Sequence, residues 1–224
     1  MMTRQFARTL LLCLGFTLFL VVLNALLPPQ TSAFIFSESG PFEMLSFILW
    51  FVLATTVLLV VRPRSPATLA LAVLATVAGL RELGVNSLLT TESITRISYY
   101  LNPDIFWLER LAVVGFIACL GLAAIAILVI FGRWLIAGNG AGHPTGQIIL
   151  LAVVLVPVTK VLDRLPAYLR GFLGIEPSLT TVSLLTALEE GLEMILPILF
   201  LQALFLLPKA LPGGQEMDGR LHRI

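Results

Sequence analysis

The sequence predicts an all-α protein, a polytopic transmembrane helical bundle with six spans. Three observations lead to this fold class. The 224 residues are 58% hydrophobic and only 12% charged, their mean hydropathy is +1.00, and short proline- and glycine-rich segments separate their apolar runs. A water-soluble domain of this length has too little interior for so much apolar side chain, so the lipid bilayer is the first expected partner. A net charge of +1 gives no reason to expect a nucleic-acid partner.

The first apolar run decides whether the chain starts with a span or with a cleaved signal. It extends from Leu10 to Leu27 and is 18 residues long, whereas the apolar part of a signal peptide has only about 7–15 residues. We therefore predict a retained first span.

Five further runs follow, each close to the ~20 residues that cross a hydrocarbon core. The segments "LPPQ", "RPRSP", "NP", "GNGAGHPTG" and "EPS" separate the runs. Pro41 suits the first turn of the second helix, and Ser178 suits the N-cap of the last. The predicted spans are 8–27, 42–61, 66–86, 109–131, 147–166 and 178–207. They make residues 1–224 a single integral membrane domain with a short cytoplasmic tail over 208–224.

Basic residues orient the bundle, because cytoplasmic loops of membrane proteins carry an excess of lysine and arginine. One side of the predicted spans has eight of them: Arg4, Arg8, Arg62, Arg64, Arg133, Lys209, Arg220 and Arg223. The outward loops 28–41, 87–108 and 167–177 contain only Arg96 and Arg170, and Arg110 lies just after the second of them. Both termini are therefore predicted to be cytoplasmic, in a bacterial-type inner (plasma) membrane. Tyr99, Tyr100, Phe106 and Trp107 predict an aromatic belt at the outer interface.

Small residues mark the faces along which membrane helices pack closely. In the third span, Ala75 and Gly79 share a stripe with Glu82, so Glu82 is predicted to point into the bundle. In the fourth span, Gly115 and Gly121 predict a packing face.

The last span carries three glutamates in the stretch "TALEEGLEMILPILF". The largely apolar part from Met194 to Leu207 has 14 residues. At about 1.5 Å per residue it covers only about 21 Å of a core about 30 Å thick. The helix must therefore extend backwards, which puts Glu189, Glu190 and Glu193 in roughly the outer third of the bilayer.

Two other spans meet charges at the same outward end. The fifth span is apolar from Ile148 to Val158 and then reaches Lys160, Asp163 and Arg164, whereas the third reaches Arg81 and Glu82. All three groups lie at similar depth, and residues three or four apart share a helix face, so we expect them to converge. Glu38 and Glu43 are candidates for the rim of the same outward cavity.

The predicted cluster has more acids than bases. It holds three bases, Arg81, Lys160 and Arg164, as counter-charges, and five acids, Glu82, Asp163, Glu189, Glu190 and Glu193, as candidate ligand-binding residues. Ionisable groups at this depth cost several kcal/mol unless they are paired or hydrated, and full pairing leaves two carboxylates over. The surplus suits a proton, a small cation or a polar ligand reached from outside. A purely structural role, in which buried ion pairs fix the helix register, is the alternative interpretation.

The stretch "LEEGLEM" is similar to the Arg-Glu-Gly-Leu-Glu motif of oxidase-dependent iron permeases. The resemblance implies that Glu190 and Glu193 would be iron ligands. It covers five residues, and Glu189 stands where the motif has arginine. The sequence leaves the metal and any cofactor open.

Three functions follow from these features. The first is a protein that binds or moves a proton, cation or polar head group at the charged cluster. The second is an accessory or assembly subunit of a larger membrane complex, with partner membrane subunits. The third is a membrane enzyme that acts on a lipid-linked substrate by carboxylate acid–base chemistry. The third is disfavoured because no Ser/His or Cys/His arrangement is recognisable.

Overall fold

The computed structural model describes residues 2–37, 40–62, 64–84, 97–103 and 105–207. These residues form α-helices, one 3-10 turn and no strand, which confirms the all-α class. The helices are α1 (Arg4–Leu26), α2 (Pro29–Ile35), α3 (Pro41–Val60), α4 (Pro66–Glu82), α5 (Ile97–Leu101), α6 (Trp107–Ala137), α7 (Pro144–Leu173) and α8 (Leu179–Leu206), with the 3-10 turn Gly140–Gly142 before α7. Glu38 and the predicted tail 208–224 lie outside the described residues.

The six long helices coincide with the six predicted spans. In the described part of the chain, α1, α3 and α6 are long and apolar enough to cross a membrane by length and composition. These three support a membrane protein, and the six-span topology stays a prediction. Ser178 caps α8 as predicted, because its hydroxyl accepts a hydrogen bond from the Thr181 amide.

The largest difference from the predicted boundaries is at the end of α7. The fifth span was expected to stop at residue 166, but α7 continues through Pro166 to Leu173 and ends at Gly174, whose φ of 62° is left-handed. A glycine adopts that conformation without the steric penalty of a Cβ, so it terminates the helix. The loop between α7 and α8 is therefore 174–178, which is shorter than the predicted loop 167–177.

The chain divides into two compact units. The first unit comprises Met1–Phe42 and Trp134–Ile224, and the second comprises Glu43–Arg133.

In the first unit, α7 and α8 form an antiparallel hairpin, and α1 packs antiparallel on α8. The α1–α8 contact is close because Gly191 has no side chain. A Cβ at Gly191 would overlap a terminal methyl of Leu20, which is fully buried. Leu20, Phe36 and Ala187 form the local core.

In the second unit, α4 packs on α3 through the predicted stripe. A Cβ at Gly79 would lie 2.9 Å from the Phe51 ring, and Ala75 and Glu82 are buried. Glu82 therefore points away from solvent, as its stripe predicted.

The structure bears on two predictions for the region around α6. A Cβ at Gly115 or Gly121 would meet no described atom within 4 Å, so the packing face expected at these glycines and Cys119 stays a prediction. Tyr99 is fully buried and is not part of a belt, whereas Trp107 is exposed as a belt residue should be. The hydroxyl of the buried Tyr99 donates to a carboxylate oxygen of Glu109, in the first turn of α6.

Candidate functional site

The middle of α8 is buried on every side. All seven residues of the segment 191–197 are buried, and seven consecutive residues cover nearly two turns, so they sample the whole circumference of the helix. Glu193 is in this segment, and only 9% of its side chain is exposed. A carboxylate in such surroundings needs a partner, because burial disfavours its charged form.

Lys160 of α7 is that partner. Its ammonium nitrogen lies 2.6 Å from Oε1 of Glu193. The contact has the distance of an ion pair without the alignment of a hydrogen bond. The two partners differ in exposure, because 45% of the Lys160 side chain is accessible. The structure thus brings together one predicted counter-charge and one predicted ligand-binding acid.

The other acids of the hairpin lie nearer its loop. Glu189 and Glu190 are half-buried in α8, and both make contacts. Asp163 lies 3.2 Å from Nε of its neighbour Arg164. Both side chains of that pair are more accessible than Glu193, with 68% of Arg164 and 37% of Asp163 exposed, so this pair is the exposed counterpart of Lys160–Glu193.

The remaining predicted site residues belong to the second unit. Arg81 Nη2 donates to Glu82 Oε1 at 2.8 Å, and Glu82 is the buried partner with 6% of its side chain exposed. Glu43 is an acid in the first turn of α3, where the helix dipole favours a negative charge. Convergence of the third span with the fifth and sixth stays a prediction.

Both helices of the hairpin contain a proline close to the ion pair. Pro157 lies inside α7 and Pro197 inside α8. A proline has no amide hydrogen, so each removes one rung of the helical hydrogen-bond ladder. Next to Pro157, the buried Thr159 hydroxyl donates to the Val156 carbonyl at 3.0 Å. The turn that carries Lys160 is therefore held partly by a side chain.

Sequence reasoning missed a second polar cluster in the first unit. The Asn24 carbonyl oxygen accepts hydrogen bonds from the hydroxyls of Ser32 at 2.6 Å and Ser183 at 2.8 Å. These three residues come from α1, α2 and α8, and Ser32 is almost fully buried. Asn24 was the available signal, because an amide inside a span usually bonds to another helix. Gln202 similarly donates to Thr9 of α1 at 2.8 Å.

Metal and known-family interpretations gain no support. No group of three or more His, Cys, Asp or Glu side chains within the described ranges is placed to hold a metal ion. Comparisons with protein-family models, curated proteins and solved structures found no match to this chain. The similarity to iron permeases is limited to five residues, so the site is interpreted from its own geometry.

Proposed function

We propose that this chain is a multi-pass membrane protein whose six long helices all cross the bilayer. The helices that fall outside the three apolar ones are α4, α7 and α8, with 17, 30 and 28 residues. At ~1.5 Å per residue they measure about 26, 45 and 42 Å, against a hydrocarbon core about 30 Å thick. The distribution of basic residues supports cytoplasmic termini in a bacterial-type inner membrane.

We propose that the protein binds or moves a proton, a cation or a polar head group at the carboxylates of the α7–α8 hairpin. The observation that carries this proposal is the Lys160–Glu193 ion pair inside the buried segment of α8. A buried ion pair adds little net stability compared with apolar residues of the same size. Its presence in an otherwise apolar bundle therefore supports a role beyond folding.

The charge balance of the hairpin supports the same function. The two helices and their loop carry five acids, Asp163, Glu176, Glu189, Glu190 and Glu193, and three bases, Lys160, Arg164 and Arg170. Carboxylates close together repel one another, and a bound proton or cation relieves that repulsion. Glu82 and Asp163 are proposed as further ligand residues, Arg81 as a counter-charge, and Glu38 and Glu43 as rim residues.

Thermal stability of the purified protein in detergent tests this function. Midpoints are measured from about pH 4 to 9, with and without added cations, for wild type, Glu190→Gln and Glu193→Gln. Glu176→Gln is the matched control, because Glu176 is an exposed acid in the loop between α7 and α8. Flattened pH dependence, or loss of a cation-dependent stabilisation, in the two site variants alone is the expected result. Equal destabilisation of both at every pH and with every cation would indicate purely structural charges.

A second candidate is an accessory subunit of a larger membrane complex. The specific observation in its favour is α6, a 31-residue apolar helix in which no residue is buried. A helix from a partner subunit would cover such a surface. Photo-crosslinking groups placed at Gly115 and Gly121 test this, and crosslinks to lipid alone would reject it. No contact among the described residues favours the enzyme on lipid-linked substrates.

A further inference from the structure

We propose that the ligand of this site is a monovalent cation of the primary-ammonium class, and that the Lys160 ammonium occupies its place on Glu193 when the site is empty. The proposal rests on the function proposed above and adds the ligand class and its regulation. Lys160 is then a tethered competitor, and the ligand binds by displacing it.

Glu193 is the fixed half of the site. It lies in the segment of α8 in which seven consecutive residues are buried, with 9% of its own side chain exposed. Close packing around a helix leaves few alternative rotamers to a side chain within it. On the side that faces α1, Leu20 fills the space that a Cβ of Gly191 would occupy, so α1 and α8 lie close together. The carboxylate therefore stays where it is when its partner leaves.

Lys160 is the movable half. Nearly half of its side chain is accessible, and its contact with Glu193 lacks hydrogen-bond alignment. The flexible four-carbon stem of lysine lets the ammonium change partner without moving the backbone. A second carboxylate is within its reach, because Asp163 is three residues further on and shares its face of α7. Asp163 now contacts Arg164, and 37% of its side chain is exposed. A displaced Lys160 would therefore pair with Asp163, which is less buried than Glu193.

The exchange defines the charge and size of the ligand. Replacing the Lys160 ammonium by one monovalent cation leaves the net charge beside Glu193 unchanged, whereas a divalent cation would add a positive charge. An ammonium nitrogen already lies 2.6 Å from the carboxylate oxygen, so the position accepts a cation that donates N–H groups at short range. A quaternary ammonium has no such donor and cannot come as close.

The test uses the full chain in detergent, with methylammonium as probe and tetramethylammonium at equal ionic strength as control. Melting midpoints are measured for wild type, Lys160→Met, Lys160→Gln and Glu193→Gln. We expect methylammonium to stabilise both lysine variants, with half-saturation at a concentration at least tenfold below that of wild type. Glu193→Gln should not respond. Arg170→Met is the matched control, because it removes an exposed cation from the last turn of the same helix; it should behave as wild type. Lys160→Gln keeps a polar side chain in case Lys160→Met does not fold.

Three results would overturn the inference, and they separate it from the proposed function. Loss of the methylammonium response in both lysine variants would show that Lys160 contributes to methylammonium binding and does not compete with it. In that case the proposed function stands. A response to pH or to other cations, but not to methylammonium, would reject the ligand class alone. A protein that responds to no cation and to no pH change would overturn both.

Discussion

Helices α6 and α8 have similar lengths and opposite environments. Helix α6 is apolar over 31 residues and has no buried residue, whereas α8 carries three glutamates over 28 residues and is buried on all sides at its centre. The helix best suited to cross a membrane alone is thus the one that packs least. In hydrocarbon, an apolar helix needs no protein around it, because lipid is as apolar as its side chains. A helix with carboxylates needs protein partners that supply counter-charges and hydrogen bonds.

Both helices are held by the protein, but at different points. Helix α6 is anchored near its ends: Tyr99 donates to Glu109 in its first turn, and Trp134 in its last turn packs on Gly138 and Gly140. Helix α8 is anchored along its length, by the Asn24–Ser32–Ser183 cluster, the Gly191–Leu20 contact and the Lys160–Glu193 pair. We therefore expect substitutions in the middle of α8 to be costly and those in the middle of α6 to be tolerated.

The largest effect should come from breaking the buried ion pair. Lys160→Met is expected to lower the free energy of unfolding by about 3–5 kcal/mol, because it removes a counter-charge from a buried carboxylate. The double variant Lys160→Met/Glu193→Leu should recover most of that loss, since it removes both charges. SDS-driven unfolding in mixed micelles free of alkylammonium ions measures these differences.

The exposed pair Asp163–Arg164 is the control for this cycle. Variants Arg164→Met, Asp163→Leu and their combination should each change the free energy of unfolding by only about 0–1 kcal/mol, as solvated ion pairs do. Equal costs for the two pairs would mean that the α7–α8 contact provides no special environment for Glu193.

A smaller difference is expected between alanine substitutions at one glycine in the interior of each helix. Gly191→Ala is expected to cost about 1–3 kcal/mol, because its Cβ would overlap Leu20, which is fully buried and cannot turn aside. Gly115→Ala in α6 meets open space, so it should be neutral or stabilise by up to about 1 kcal/mol through helix propensity. The same unfolding assay compares them.

A destabilising Gly115→Ala would contradict the contrast between the helices. It would mean that α6 packs closely against another helix in the assay, and it would favour the accessory-subunit function.

Most of the secondary structure was predictable from the sequence, because each long helix contains a largely apolar run between proline- or glycine-containing segments, and three of these helices are long and apolar enough to span a membrane. The prediction failed at the end of α7, because the span was ended at residue 166, shortly after the charged residues Lys160, Asp163 and Arg164. Neighbouring structure can satisfy the groups that a proline frees, so such helices continue. The short helices α2 and α5 have no periodic signal of that kind and were missed.

The site was predictable as a group of charges but not as a set of pairs. Lys160 precedes Gly174 by 14 residues and Glu193 follows Ser178 by 15, so the two face each other across the α7–α8 hairpin. That pairing could be read only once the true end of α7 was known. The Asn24 cluster depends on α2, and for that reason no spacing within the spans revealed it.

The smallest effect concerns the anchor at the start of α6 and appears only at alkaline pH. Burial raises the pKa of Tyr99, and the hydrogen bond to Glu109 raises it further. The unfolded chain has a tyrosine pKa of about 10. The stabilisation from the protonated phenol is therefore complete below about pH 10 and is lost as the pH rises towards the pKa of Tyr99 in the folded protein.

Wild type should lose thermal stability over that alkaline range. Tyr99→Phe should start slightly lower at neutral pH and change less above pH 10, whereas Tyr168→Phe, at an exposed position, should keep the wild-type profile. Identical alkaline profiles for Tyr99→Phe and wild type would show that the Tyr99–Glu109 hydrogen bond does not hold the start of α6. Helix α6 would then be held only near its other end, and the comparison with α8 would have to be revised.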